Sequence, residues 1–131
     1  MTTPTKQTEK TLPKTPLPCI HIVIPVLNEA ENIPRLFADL HQLDDQLQDD
    51  FELHFVLVDD GSTDDTASRA EEASDNLRLT IIQSKSNRGP GHAFGSAFEN
   101  LAPDLGPDDW VVTMEGDNTS RCEILSQMLR R

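Results

Sequence analysis

Residues 56–62 read Val56-Leu57-Val58-Asp59-Asp60-Gly61-Ser62, a short aliphatic run that ends in two acids and a turn. Such a run is typical of a buried strand. A second run, Val111–Met114, is followed by Glu115-Gly116-Asp117. In an open α/β sheet, ligands bind beyond the carboxyl ends of the strands. Two acidic clusters at that edge would repel each other unless a cation or hydrogen-bond donors lay between them, so the sequence predicts a site for a metal-bound phosphate ester.

Strand and helix patterns alternate along the chain. The predicted strands are residues 20–26, 53–58, 78–83 and 110–114. Apolar residues from Ile33 to Leu43 fall at helical spacing, with Asn28 or Asn32 as the cap, and the acidic stretch Asp44–Asp50 is predicted to be a loop.

Three further helices follow from the same signals. Ser62 and Asp65 form a capping pair for a helix that runs to Ala73, and Gly91–Leu101 is the next helical stretch. Ser120 and Glu123 repeat the capping spacing before a last helix. Four strand–helix units in series predict an α/β fold of the Rossmann-like type, a mostly parallel sheet covered by helices.

This order places every chemical candidate at one edge of the predicted sheet. Asn28 and Glu29 follow the first strand, and Asp59 and Asp60 follow the second. Asn87–Gly91 follows the third strand and Glu115–Asp117 the fourth. A single polar cluster is expected at the strand ends of any soluble α/β protein, so it is the combination of four that points to a ligand site.

The length and the net charge of the chain limit the functions that it can have. The 131 residues carry 23 acids against 11 basic residues, a net charge of −12. Residues 1–18, rich in Thr, Lys and Pro, are predicted to be a disordered leader, and residues 19–131 one domain. An acidic body argues against nucleic acid as the partner. No apolar stretch is long enough to span a bilayer and the two cysteines match no metal or redox spacing, so a cytoplasmic protein is expected.

Three blocks of the sequence resemble family 2 glycosyltransferases. They are Ile24-Pro25-Val26-Leu27-Asn28-Glu29 with Asn32-Ile33, then Val58–Thr66, then Asn87-Arg88-Gly89-Pro90-Gly91-His92-Ala93. The order and spacing of all three match, over about residues 20–131. The Asn-Glu pair is most similar to the branch of polyprenyl-phosphate sugar synthases, such as dolichol-phosphate mannose synthase. The resemblance implies a fold of the GT-A type.

The resemblance also implies a donor site. Glu29 and Asp60, with Asp59 in support, would hold the base and ribose of a UDP- or GDP-sugar, because carboxylates accept from their N–H and O–H groups. Pro25 and Asn28 belong to the first of these blocks. Arg88 and Gly89 lie in a loop that would close over the donor. The alternative for Asp59 and Asp60 is a turn and helix-cap role. For His92 the helix surface is favoured.

A metal site is implied at Glu115 and Asp117, the place of the family's Asp-x-Asp motif, with Mg²⁺ or Mn²⁺ bridging the donor phosphates. The acceptor would be a polyprenyl phosphate or a saccharide, and a place at the cytoplasmic face of a membrane is compatible with it. The catalytic base and the acceptor pocket are expected beyond Arg131, so the chain reads as the donor-binding half of an enzyme. The alternative is a non-catalytic nucleotide-sugar-binding module or a degenerate fragment.

Three other classes fit less well. A phosphatase of the haloacid dehalogenase type needs an Asp where Val58 stands. A nucleotidyltransferase would carry a Gly-rich basic loop after the first strand. A receiver domain needs a late-strand Lys, and Lys85 is the only lysine after the leader.

Overall fold

The computed structural model describes residues 17–85 and 88–114. Four strands and three helices alternate along the described chain, with a short 3-10 helix, Ala102–Asp104, before the last strand. Their bounds are β1 Cys19–Val26, α1 Ile33–Leu47, β2 Glu52–Asp59, α2 Thr66–Ser74, β3 Leu79–Gln83, α3 Pro90–Leu101 and β4 Trp110–Thr113. The leader (apart from its last two residues), Cys122, the predicted last helix, Glu115 and Asp117 fall outside the described residues.

The strands form one parallel sheet in the order β3-β2-β1-β4. Residues along each strand alternate between the two faces, so each face has its own core. The predicted α/β class and parallel sheet are confirmed.

Helices α1 and α2 cover one face of the sheet. Its core joins the even-numbered residues of β1 to α1 and includes Ile22, Ile24, Phe37, Leu40 and Phe55, all at most 1% exposed. The opposite face holds a smaller core, in which α3 packs against β1 and β2. Its buried members are Val23, Val56, Val58, Ala93, Ala97 and Leu101. Helices on both faces explain why the central strands are apolar on both sides.

The predicted loop at Asp44–Asp50 is wrong over its first half. Helix α1 continues to Leu47, which is fully buried and extends the apolar stripe of Leu40 and Leu43 by one more turn. Acidic residues on the solvent side of that turn hid the apolar period. The burial of one leucine outweighs the weak helix propensity of Asp44 and Asp45.

The predicted capping pair Ser62–Asp65 is also wrong in detail. Helix α2 begins at Thr66 with Asp65 at the N-cap position, and no Asp65 side-chain cap is formed. The Asp64 carboxylate instead accepts the Thr66 N–H, while the Ser62 hydroxyl accepts an N–H from another loop. At α1, Asn32 does hold the N-cap position, again without a side-chain capping hydrogen bond.

Candidate functional site

The strand order reverses direction at β1. The chain builds β1, β2 and β3 outward on one side and then returns to place β4 on the other side of β1. In open α/β sheets this reversal opens a crevice beyond the carboxyl ends of the two strands that flank it. The crevice is therefore expected beyond the carboxyl ends of β1 and β4.

Pro25 helps to end the pairing of β1 and β4. The ladder pairs Ile20–Val23 with Trp110–Thr113, and the Met114 N–H donates to the Val23 carbonyl at 2.9 Å. In a parallel ladder the next donor on β1 toward β4 would be residue 25. Proline has no N–H, so β1 offers β4 no backbone donor at that position.

The loops after β1 and β2 are joined by side chains that accept backbone N–H groups. The Asn28 N–H donates to Ser62 Oγ at 2.8 Å, and Asn28 Oδ1 accepts the Thr63 N–H at 2.8 Å. The Glu29 N–H donates to Thr66 Oγ1 at 2.9 Å. Asn28 has a φ of 53°, in the left-handed region that asparagine tolerates better than most residues. This conformation presents both its N–H and its side chain to the neighbouring loop.

Asp64 completes that junction. Its carboxylate accepts the Ala30 N–H at 3.2 Å and the Thr66 N–H at 3.0 Å, and also the Thr66 hydroxyl. The Thr66 hydroxyl, followed by these backbone N–H groups, lowers the pKa of Asp64 below its usual value. The junction therefore remains intact to a lower pH than an ordinary aspartate would allow.

Asp60 connects the end of β2 to the start of α3. It is 5% exposed, and its two carboxylate oxygens accept the N–H groups of Arg88 at 3.0 Å and Gly89 at 2.9 Å. Gly89 has a φ of 90°, which favours glycine, and Pro90 begins the helix with a fixed φ. The loop that carries Arg88 is thus held by Asp60.

Asp59 has the turn role that the sequence left as its alternative. It is 2% exposed and its Oδ1 accepts the Ser62 N–H at 2.9 Å. Gly61, with a φ of 88°, makes the turn between them.

The structure brings most of the predicted site residues to one edge. Asp59 ends β2, and the loops that share hydrogen bonds around it contain Asn28, Glu29, Asp60, Arg88 and Gly89. Arg88 is exposed and Glu29 half-buried. His92 is exposed on α3, as favoured. Within the described residues, no helix is long and apolar enough to cross a membrane.

Sequence reasoning missed the hydroxyls of Ser62, Thr63 and Thr66 as links between the loops. The signal was present as Ser-Thr-Asp-Asp-Thr directly after the strand, a string of residues that favour hydrogen bonds to nearby backbone. The partners of these hydroxyls are 34 to 37 residues away, so no local pattern in the sequence identifies them.

The predicted metal ligands Glu115 and Asp117 lie outside the described residues. Within 17–85 and 88–114, no three His, Cys, Asp or Glu side chains are grouped to hold a metal ion. In the sequence, Glu115 and Asp117 come shortly after Met114, the residue that follows β4.

Residues 21–131 match the family described as Glycosyl transferase family 2. One relative is the undecaprenyl-phosphate 4-deoxy-4-formamido-L-arabinose transferase of Pseudomonas fluorescens, 36% identical over 105 residues. These residues are 78% of this chain and 28% of the relative.

Two solved structures carry the same fold. A mannosyltransferase from Pyrobaculum calidifontis, in complex with GDP-Man and Mn²⁺, aligns with a TM-score of 0.63 at 27% identity, over 86% of this chain and 31% of that one. A glucosyl-3-phosphoglycerate synthase from Mycobacterium tuberculosis, with Mn²⁺, UDP and glucosyl-3-phosphoglycerate, aligns at 0.53 and 27% identity, over 76% of this chain and 33% of that one. The chain therefore spans about a third of the length of these proteins. The fold is of the GT-A type, and by the family match over residues 21–131 the chain belongs to glycosyl transferase family 2.

Proposed function

We propose that this chain binds a nucleoside diphosphate sugar at the carboxyl edge of its sheet and that the enzyme to which it belongs transfers the sugar to an acceptor. The observation that carries the proposal is the set of hydrogen bonds joining three loops beyond β1, β2 and β3, next to the reversal between β1 and β4. Loops tied in this way form a rigid crevice, and rigidity lowers the entropy lost when a ligand binds.

The residue roles follow from what each side chain already does. Glu29 and Asp60 would accept hydrogen bonds from the nucleoside, with Asp59, Asn28 and Pro25 shaping the floor. A carboxylate has about four acceptor positions, so Asp60 can hold the Arg88 and Gly89 amides and still accept from a base or ribose. Arg88, exposed at the mouth of the crevice, would approach the phosphates.

A divalent cation is needed for electrostatic reasons. The chain carries a net charge of −12, and the crevice is lined by acids, so a nucleoside diphosphate would be repelled without a counter-charge. Glu115 and Asp117 are the residues proposed to hold Mg²⁺ or Mn²⁺ there. When bound, the cation would neutralise the charge that develops on the departing nucleoside diphosphate. The neighbours solved with Mn²⁺ support a metal of this kind.

The proposed acceptor is a polyprenyl phosphate, with a saccharide as the second choice. The curated relative is named as an undecaprenyl-phosphate transferase, and this agrees with the branch that the Asn28-Glu29 pair resembles. A lipid phosphate acceptor would place the enzyme at a membrane surface, and a nucleotide-sugar donor would place the domain on its cytoplasmic side.

Calorimetric titration of the 131-residue chain with UDP, GDP and ADP, each with Mn²⁺ and with EDTA, tests the proposal. We expect UDP or GDP to bind and the affinity to fall when the metal is removed. Binding of none of the three nucleotides, by a chain that is folded by circular dichroism, would contradict it.

A further inference from the structure

The amino edge of the sheet contains a buried chain of polar side chains that the proposed function does not use. His21 and His54 are paired in register across β1 and β2, on the α3 face, and are 2% and 7% exposed. Their Nδ1 atoms are 2.9 Å apart. His54 Nε2 lies 2.8 Å from Thr80 Oγ1, and His21 Nε2 lies 3.3 Å from Asp109 Oδ2. We call Thr80, His54, His21 and Asp109 the histidine chain.

The Asp109 carboxylate, at one end of the histidine chain, determines the tautomers of His21 and His54. Backbone N–H donation from Gly106, and then from Cys19, together with His21, holds the pKa of Asp109 below its usual value, so the group is ionised at neutral pH. An ionised carboxylate only accepts, and His21 must therefore carry its proton on Nε2. His21 Nδ1 then accepts from His54 Nδ1–H, and His54 Nε2 accepts from the Thr80 hydroxyl. Every group is satisfied with both histidines neutral.

The histidine chain can take up one proton but not two. With His21 doubly protonated, His54 holds its own proton on Nε2, donates to the Thr80 oxygen and accepts from His21 Nδ1–H. A second proton would place N–H groups on both Nδ1 atoms, which face each other at 2.9 Å. Two donors cannot hydrogen-bond, and two positive rings in contact repel.

The surroundings oppose a charge on His54. Burial, followed by the Arg78 and His21 charges, lowers the pKa of His54 to about 4. Burial raises the pKa of the Cys19 thiol, whose sulfur is 3.9 Å from His21 Nδ1, so this neighbour is neutral. On the same face α3 contributes Ala97 and Leu101, which do not titrate. The other charged groups around the pair are Glu52, which binds Arg78 at 3.2 Å, Asp104 in the 3-10 helix, and Asp109 itself.

Asp109 also anchors β4. Its Oδ1 accepts the Cys19 N–H at 3.2 Å and its Oδ2 the Gly106 N–H at 2.9 Å. Strand β4 has four residues, half the length of β1, and is at the edge of the described sheet. A strand this short depends on the contacts at its ends.

We propose that the histidine chain is an acid-sensitive latch: it holds the amino end of β4 against β1 while the histidine pair carries at most one proton, and it releases that end when the pair takes up a second. Because β4 leads into segment 115–117, release would also weaken nucleotide binding, a consequence that rests on the proposed function. The latch itself does not depend on the proposed function.

Trp110 provides the measurement, because it is the only tryptophan in the chain and follows Asp109 directly. Its fluorescence anisotropy is recorded from pH 7.5 to pH 4, with far-UV circular dichroism on the same samples. We expect the anisotropy to fall between pH 6.5 and pH 4 before the dichroism changes. In His54→Asn, which keeps a polar group near the Nδ1 position but does not titrate, the midpoint should fall by at least one pH unit or the transition should vanish. His92→Gln, a change at an exposed histidine on α3, should leave the midpoint unchanged.

Three results would overturn the latch: constant anisotropy, an unchanged midpoint in His54→Asn, or a transition that coincides with loss of secondary structure. If His54→Asn does not fold, histidine ¹⁵N spectra of the wild type decide the question. While the structure is intact, the pair of His21 and His54 should take up one proton and not two. Independent titration of His21 and His54 would contradict the proposal.

Discussion

At the two edges of this sheet, polar groups near the core obtain their hydrogen bonds in different ways. At the carboxyl edge, carboxylates and hydroxyls accept backbone N–H groups from neighbouring loops, as Asp60 does for Arg88 and Gly89. At the amino edge, side chains bond to one another, and the direction of each bond depends on which histidine nitrogen carries the proton. The aspartates act as acceptors in their ionised form and need no proton at neutral pH. The hydrogen bonds of the histidine chain, in contrast, are broken when the histidine pair takes up a second proton. The edges should therefore differ in sensitivity to pH and to mutation.

The largest expected effect is acid destabilisation through the amino edge. The pKa of His54 is lowered from 6.5 to about 4, first by burial, so the unfolded chain binds more protons than the folded one between these values. The stabilisation is complete above pH 6.5 and is lost as the pH falls toward 4. We expect the free energy of unfolding to drop by about 2–3 kcal/mol between pH 7 and pH 4.5. Urea denaturation at a series of pH values measures it.

His54→Asn should flatten this dependence, and His92→Gln should not. Equal slopes in wild type and His54→Asn would show that the acid sensitivity arises elsewhere.

The next effect tests the carboxyl edge. Asp60→Ala leaves the Arg88 and Gly89 N–H groups without their acceptor, and removes the carboxylate proposed to meet the nucleoside. Losing a hydrogen bond to a charged group costs roughly 1.5–3 kcal/mol, so affinity for UMP or GMP without metal should fall about tenfold to a hundredfold.

Asp65→Ala is the matched control. Asp65 pairs with Arg69 at 3.2 Å on the exposed surface of α2, and such pairs contribute about 0.2–1 kcal/mol to stability. The nucleotide affinity of Asp65→Ala should equal that of the wild type. Unchanged affinity in a folded Asp60→Ala protein would limit Asp60 to holding the Arg88 loop.

The proposed metal site should give a smaller effect. Asp117→Asn removes one anionic oxygen ligand, and we expect the gain in nucleoside diphosphate affinity on adding Mn²⁺ to shrink by about tenfold, equivalent to about 1.4 kcal/mol. Titrations of wild type and variant with Mn²⁺ and with EDTA measure the difference. Equal affinity of the wild type in both conditions would refute the metal role.

The last prediction compares a glycine at the N-cap of α3 with one inside the helix. Gly89 has a φ of 90° and Gly95 lies within α3, and an added Cβ meets nothing within 4 Å at either site. Gly89→Ala should cost about 1–2 kcal/mol because a left-handed φ strains any Cβ. Gly95→Ala should stabilise by about 0.5–1 kcal/mol, since alanine is the better helix former. Thermal unfolding compares them, and equal effects would mean that Asp60 does not hold the loop in this conformation.

The sequence predicted the fold and the location of the site more successfully than the contacts within it. Apolar periods and turn residues indicated four strands in alternation with helices, because these signals are local. The order of acids after the strands indicated a shared edge, because parallel strands end together. The end of α1 was missed, since only the burial of Leu47 against the sheet extends that helix past Asp44.

The residue pattern was therefore sufficient to predict a parallel α/β sheet with acids beyond its strands, and the motifs identified the family. The long-range contacts come from the folded structure: Asp60 holds the loop of Arg88, 28 residues away, and His21 meets His54, 33 residues away. The physical reason is register: two side chains far apart in the chain become partners when strand pairing brings their backbones together, and no residue pattern within one strand states which partner that will be.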